Sequence, residues 1–458
     1  MKKKTQSSKK QKKKVSVDQQ WSAVNPNAAG VDLGSREHWV AVAADRAPQP
    51  VRCFGTFTSD LEALADWLKA CAITSVAMEA TGVYWIPLFQ LLERRGFEVL
   101  LVNARQIKNV SGRKTDVLDC QWIQRLHTYG LLGGSFRPAD RYCVVRSYLR
   151  YRDELVCARS TQTQHIQKAL QQMNIQLTQV LADVTGLSGL AILEAILKGE
   201  RDPMKLASMV DRRVKATQQQ IAKALKGDYR AEHLFQLKTA FELFHTYEAK
   251  ILACDEELAR ELGHLPDRVD VKAKPLPPKA KNKDINEALR EGLYRKLGVD
   301  LTAVEGIGAL VGLTVLTEVG PDLSRFKTEK HFTSWLGLCP DNRISGGKVL
   351  SRRTRRVVNR LSDVLRIAAT TLERSPSALG AYYRRMKGKL GAAEGVTATA
   401  HKLARILYRL LKHGEDYVRQ GLEDYEKKHQ ARKLKTLQKM AASLGMVLAA
   451  ENPVQAVS

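Results

Sequence analysis

From Ala28 onward the chain sets short, β-rich apolar runs between turn residues. Ala29 to Gly34 reads as a strand, Trp39 to Ala43 as its antiparallel partner, and Val51 to Phe57 as a third strand. A helix follows, with Ser59-x-x-Glu62 as a capping box and Leu61, Leu64, Trp67 and Leu68 on one face. Ser75 to Met78 is a short strand ending at Glu79. Trp85 to Arg95 is helical, Glu98 to Val102 is another strand, and Thr115 to Tyr129 a helix. Strands first and alternation later predict an α/β domain with a mixed sheet over residues 28–143.

From about Val144 the period lengthens. Leu149, Val156, Thr163, Leu170 and Leu177 recur every seven residues, with Ile166, Met173 and Val180 as a second seam. Leu237, Phe244, Ile251 and Leu258 repeat the pattern, flanked by Leu234 and Phe241. The two arms are separated by Gly186 to Pro203. They predict an antiparallel coiled coil or a dimerisation arm over 144–267, and a plain helical bundle would carry the same pattern. Pro275, Pro277 and Pro278 among lysines mark 268–294 as an exposed linker. A compact all-α domain is expected over 295–413, with a polar helix or loose end over 414–458. Residues 1–27 read as a flexible basic arm, with eight lysines between Met1 and Lys14.

Charge sharpens the picture. Of 458 residues 74 are Lys or Arg and 48 Asp or Glu, a net charge of +26 in a chain that is 44% hydrophobic. Such an excess on a folded chain points to a polyanion, nucleic acid first. No uncharged run is long enough to span a bilayer, the basic arm is not followed by the apolar segment of a signal peptide, and the seven cysteines form no Cys-x-x-Cys pair. A cytoplasmic, nucleoid-associated protein with no membrane partner is expected.

Four acids stand out. Asp32 lies inside the first strand among apolar neighbours, where an unpartnered carboxylate is costly. Glu79 ends another strand, just before Thr81-Gly82. Asp116 and Asp119, three residues apart, share one helix face, although Asp116 could equally cap that helix. Oxygen-only donors of this kind suit magnesium, or manganese in its place, for phosphodiester chemistry.

The second half is glycine-punctuated and basic. Val304-Glu305-Gly306-Ile307-Gly308 before an apolar run reads as a helix-hairpin-helix whose N–H groups at Gly306 and Gly308 could face a phosphate, or as a packing turn. Arg343, Lys348, Arg352, Arg353, Arg355, Arg356 and Arg360 follow with no acid among them, a one-signed cluster that reads as a phosphate track. Ser345, before Gly346-Gly347, is by its residues alone a loop serine or an N-cap. His38, His127 and His401 have no ligand spacing, and Trp39 and Trp85 read as core.

Gly30-Val31-Asp32-Leu33-Gly34, Met78-Glu79-Ala80-Thr81-Gly82-Val83-Tyr84 and Lys114-Thr115-Asp116-Val117-Leu118-Asp119 together resemble the RuvC-like domain of the DEDD transposases of the IS one-ten insertion-sequence family, relatives of the Piv invertase. Gly337-Leu338-Cys339-Pro340, Ser345-Gly346-Gly347 and the arginines beyond resemble that family's second conserved region, an Arg-rich helix following Ser-Gly. The resemblance implies an RNase H/RuvC-like fold, metal-binding catalytic acids at Asp32, Glu79, Asp116 and Asp119, and a catalytic serine at Ser345. It further implies donor and target DNA as substrates, an element-encoded noncoding guide (bridge) RNA, and homodimers assembling to a tetramer in which acids and serine come from different subunits. Two other functions stay open on the residues: a RuvC-like resolvase or nuclease using metal-activated water, and a non-enzymatic nucleic-acid-binding protein.

Overall fold

A computed structural model describes residues 22–80, 82–103, 116–278, 287–351, 353–355 and 357–447, with Arg343, 415–424, 426 and 429 in backbone only. Most of the basic arm, part of the Pro/Lys linker, Arg352 and Arg356 lie outside the described residues. The chain divides into two compact units, 1–137 and 138–458. No described helix is long and apolar enough to cross a membrane.

The first unit is a five-stranded mixed sheet. β1 (Ala28–Leu33), β2 (Glu37–Ala41) and β3 (Val51–Gly55) pair antiparallel in sequence. The helix α1 (Thr58–Ala70) leads to β4 (Ser75–Glu79), which returns parallel to β1. After α2 (Trp85–Arg94), β5 (Glu98–Val102) lies parallel to β4, and α3 (Asp116–Thr128) follows. The strand order is β3-β2-β1-β4-β5, which is compatible with an RNase H-like domain. One face of the sheet packs Ala29, Val31, Val40, Val76 and Met78 against Leu64 and Leu68 of α1 and Leu88 and Leu92 of α2. The other face meets α3 through Ala77, Val102 and Ile123. The expected Ser59–Glu62 capping box does not form. The helix starts two residues earlier, and the Asp60 carboxylate, three residues past Phe57, accepts from the Phe57 backbone N–H at 3.1 Å.

The second unit is helical. The first heptad arm is α4 (Asp140–Gln172) and the second is α9 (Ala231–His264). They run antiparallel, as the ion pairs Arg152–Asp255 (2.5 Å) and Arg159–Glu248 (3.6 Å) require. Leu149, Ile166 and Leu170 of the first arm and Leu237, Phe244, Ile251 and Leu258 of the second are buried. Leu177 falls outside the arm, because Asn174 takes a left-handed φ of 55° and the chain turns. The stretch expected as a spacer folds instead. α5 (Leu177–Val180), α6 (Leu187–Leu197), α7 (Pro203–Ser208) and α8 (Gln218–Ala224) close over the tip of the pair, burying Ile192, Leu193, Ile196, Leu206 and Leu225. Seven-residue spacing therefore marks an intramolecular hairpin of helices with an apolar cap.

The remainder comprises α10 (Glu287–Leu297), a 3₁₀ turn at Leu301–Ala303, α11 (Ala309–Glu318), α12 (Glu329–Trp335), a hairpin of β6 (Arg343–Ser345) and β7 (Lys348–Ser351), then α13 (Arg360–Thr371), α14 (Ala378–Leu390), α15 (Ala392–His413) and α16 (Glu415–Ser443). A buried ion pair pins α10 to the 3₁₀ turn. Arg290 donates to Asp300 at 2.6 Å and to Thr302 Oγ1 at 3.1 Å, with both charged side chains about 3% exposed. Removing one buried partner strands the other, so Asp300→Ala should cost about 3–5 kcal/mol in urea unfolding. Glu287→Ala, which removes only the exposed partner of Arg290, should cost under about 1 kcal/mol. Equal losses would show that the burial of Asp300 carries no special weight.

Candidate active site and nucleic-acid face

Strand alternation and one missing side chain assemble the acids. Ala29, Val31 and Leu33 face α1 and α2, so Gly30 and Asp32 turn to the α3 face. Met78 faces the first core and Ala77 the second, which puts Glu79 on the α3 face too. In the parallel pairing Gly30 lies opposite Ala77 and Val31 opposite Met78, so the next step sets Asp32 against Glu79. The α3 backbone is laid directly on β1. A Cβ at Gly30 would fall 2.3 Å from the Gln124 backbone N and 2.5 Å from the Cys120 carbonyl O. The first turn of that helix carries Asp116 and Asp119.

The electrostatics agree with this geometry. Burial raises the half-buried Asp32 carboxyl to about 6, and the charges of Asp116, Asp119 and Glu79 add to the rise. Each of the other three acids thus reaches Asp32 through the field. Among the described residues no three His, Cys, Asp or Glu side chains close into a ready-made cage, yet the shared negative field and oxygen-only donors fit a hard divalent cation. Cys120 beside them is not a competing ligand. Burial, with the Asp32 and Asp119 charges, holds its thiol up at about 12, far from the thiolate that binds metal.

Ser345 is placed differently from either reading of its residues. It is the last residue of β6, exposed, paired with Lys348 across a two-residue turn. Gly346 and Gly347 have φ of 55° and 77°, the left-handed pair that the tightest hairpins require. The turn thrusts the serine to the tip of a ribbon whose Ile344 and Leu350 are 61% and 70% exposed. Among the described residues its hydroxyl has no hydrogen-bond partner.

The arginine cluster is not a helix. Pro340 bridges to Thr354, and Asp341 N–H donates to the Arg353 carbonyl at 2.9 Å. These pairings take up backbone groups that a helix would use, so α13 begins only at Arg360, capped by the Asn359 side chain on Ser362 N–H. The cluster is also less free than a one-signed run suggests. Arg360 pairs with Asp153 at 2.7 Å and Arg355 donates to the Ser334 carbonyl at 2.9 Å, whereas Lys348 and Arg353 are exposed without a described ion pair. Arg343 lies on β6.

Gly306 has a φ of 82°, and a Cβ there would approach the Ala368 carbonyl at 3.1 Å. Its turn packs on α13, while Gly308 stands open as the N-cap of α11. His38 and His127 are buried, the latter sharing a 2.7 Å hydrogen bond with Ser75. His401 is partly buried, and burial holds it below the usual histidine range. Trp39 and Trp85 are partly buried, and Trp85 packs against the sheet core.

Residues 29–175, which include all four acids, match the family model of the IS110 DEDD proteins, described as "Transposase". Residues 300–384, which include Ser345, match that of the "Transposase IS116/IS110/IS902 family". The chain belongs to this transposase family. It is 35% identical over 127 residues to the y4pF/y4sB protein of Sinorhizobium fredii, named for a transposase, a match covering 26% of this chain and 32% of the relative. It is 35% identical over 131 residues to the mini-circle protein for IS117 of Streptomyces coelicolor, also named for a transposase, covering 28% and 30%. The chain thus spans about a third of the length of these relatives.

The carboxylate cluster in this family member has a measurable cost. Between about pH 4 and pH 6 the unfolded chain releases the Asp32 proton before the folded one does, so stability from this group falls as pH rises through that window and stays low above it. Asp32→Asn should raise stability at pH 7.5 in a chelating buffer by roughly 1–3 kcal/mol, after discounting for partial exposure. Millimolar magnesium or manganese should raise the melting temperature of the unchanged protein and leave that of Asp32→Asn nearly where it was. A melting temperature lowered by Asp32→Asn would contradict the crowding of the four acids.

Proposed function

We propose that the chain is a DNA recombinase that cuts and rejoins DNA at its own insertion sequence, with Ser345 as nucleophile and the Asp32, Glu79, Asp116 and Asp119 cluster of a different subunit as its metal-holding partner. The observation that supports it is the packing of α3 on Gly30, which brings the turn bearing Asp116 and Asp119 over the strand that carries Asp32 next to Glu79, with the Asp32 carboxyl raised to about 6. These acids would hold magnesium, or manganese, which supplies charge neutralisation and activation of a nucleophile at a phosphodiester. Asp32 and Glu79 sit on strands and so offer rigid donors, while Asp116 and Asp119 are positioned by the α3 contact at Gly30.

Ser345 supplies the covalent step. Its Oγ–H gives up a proton, an Oγ–P bond forms, and a backbone P–O bond breaks to leave a hydroxyl-ended strand. Attack by another strand's hydroxyl reverses the step and reseals the DNA. A serine at the tip of an exposed two-residue turn can enter a nucleic-acid groove without backbone obstruction. Lys348 across the turn, with Arg353 and Gly308 as further contacts, holds phosphate. Family resemblance adds an element-encoded guide RNA that supplies sequence specificity by base pairing, and homodimers pairing into a tetramer.

The absence of a described hydrogen-bond partner for the Ser345 hydroxyl favours a second reading, a nuclease in which water attacks and the serine is a bystander. Stopping the reaction with denaturant separates the two. The serine mechanism leaves DNA covalently attached to protein, an adduct lost in Ser345→Ala and kept in Ser351→Ala, whose hydroxyl accepts from Arg353 N–H. Cut DNA with no adduct in either protein would establish the nuclease.

The free cations give a separate measurement. Lys348→Gln with Arg353→Gln should flatten the salt dependence of DNA binding by about two units. Arg360→Gln should change it by less, since Asp153 already neutralises that arginine. An unchanged slope in the double variant would remove the hairpin from the DNA face.

A further inference from the structure

The C-terminal helix, read as a polar loose end, closes a cavity. From Lys427 to Lys439 it carries six cations and no acid. Its Tyr425, Arg432, Lys433 and Leu437 face Ala378, Tyr382 and Arg385 of α14 across an opening of about 300 Å³, the small end of ligand pockets. At its edge Lys402 of α15 sits between two rings, its Nζ 3.3 Å from the Tyr425 centroid and 4.5 Å from that of Tyr382. The Arg385 guanidinium lies 5.5 Å from the same Tyr382 ring. Among the described residues no carboxylate pairs with Lys402, Arg385, Arg432 or Lys433. Burial, with the charges of Arg385, Arg405 and Arg432, holds the Lys402 ammonium down at about 8.

We infer that this cavity takes one unpaired nucleotide of a single strand, with its base on the Tyr382–Tyr425 surface and its phosphates on Arg385, Arg432 and Lys433. The two halves of the lining decide the chemistry. A bare phosphate has no use for the apolar wall of Ala378, Ala381 and Leu437, and an apolar peptide would leave the cations unmatched. A base within a duplex cannot present its face to the rings, whereas an unstacked one can. Lys402 holds the two rings apart from one side and adds its charge to the phosphate side. The inference rests on the chain acting on nucleic acid, as proposed above, but on neither the acid cluster nor Ser345.

The test uses the full chain and three probes: an oligothymidylate, an oligouridylate and a DNA duplex of equal length, each single strand also prepared with 5-bromo-substituted bases for photocrosslinking. Crosslinks should map to the peptides bearing Tyr382 or Tyr425. Tyr382→Leu with Tyr425→Leu should weaken single-strand binding roughly 10- to 100-fold and duplex binding by less than about threefold, while Tyr425→Phe should bind as the unchanged protein does. A preference between the two single strands identifies whether DNA or RNA is the source, and equal binding supports the pocket for both. Crosslinks confined to other peptides, equal losses for single strand and duplex, or displacement by polyglutamate as effective as by oligonucleotide would overturn the assignment. Should the double variant melt early, the crosslink on the unchanged protein still decides. Ser345→Ala should crosslink unchanged, so a failure of the recombinase reading and a failure of the pocket give different results.

Discussion

The contact between α3 and β1 at Gly30 is the constraint on which the first unit's chemistry depends. A helix backbone can lie this close to a strand only where the strand offers no side chain, and the approach brings the helix's first turn over the strand that carries Asp32. The acid stands two positions after the glycine, with only Val31 between them, so both point the same way. Packing and the approach of the acids are thereby set by one local choice. A β-branched residue at position 30 would lift the helix and with it Asp116 and Asp119, leaving Asp32 and Glu79 in place but incomplete.

The cost of this arrangement is visible in the same residues. Four carboxylates on one sheet face oppose folding, and the opposition falls chiefly on the one that is most enclosed. The opposite face, where Val31, Val40, Leu64, Met78 and Leu88 are wholly buried, offsets it. The sheet is therefore asymmetric: one side stabilises, and the other carries the charge that opposes it.

Much of this was legible in the sequence because period and alternation act over short distances. The order of strands, the placing of Asp32 and Glu79 at sheet positions and the two heptad seams all follow from spacing. The resemblance implies a helix for the arginine stretch, and nothing local announces that Asp341 and Pro340 will pair with Arg353 and Thr354 in continuation of the ribbon closed by the Gly346–Gly347 turn. The free cations could not be told from the bound ones, since Asp153 lies some 200 residues before Arg360. The cap over the helix pair was hidden by Gly186 and Pro203, which start helices here rather than ending structure. The run of six cations after Tyr425 was the one available signal for the C-terminal cavity, and the aromatic partner, Tyr382, sits on another helix.

The long helix pair has a mechanical consequence. Glu318 of α11 receives Arg150 through both carboxylate oxygens at 2.8 Å, Arg146 approaches it at 3.7 Å, and Arg360 holds Asp153. These ties clamp the first turns of α4 to the helical body. Beyond Asp153 the helix continues for about 30 Å at the usual rise, alongside α9, to the apolar tip. A rod clamped at one end is a lever, and a tilt of about 10° at the clamp sweeps the tip through about 5 Å. Small rearrangements around Glu318, a buried acid in the body of the protein, are thus magnified at the far end of the arm into displacements as large as a helical turn.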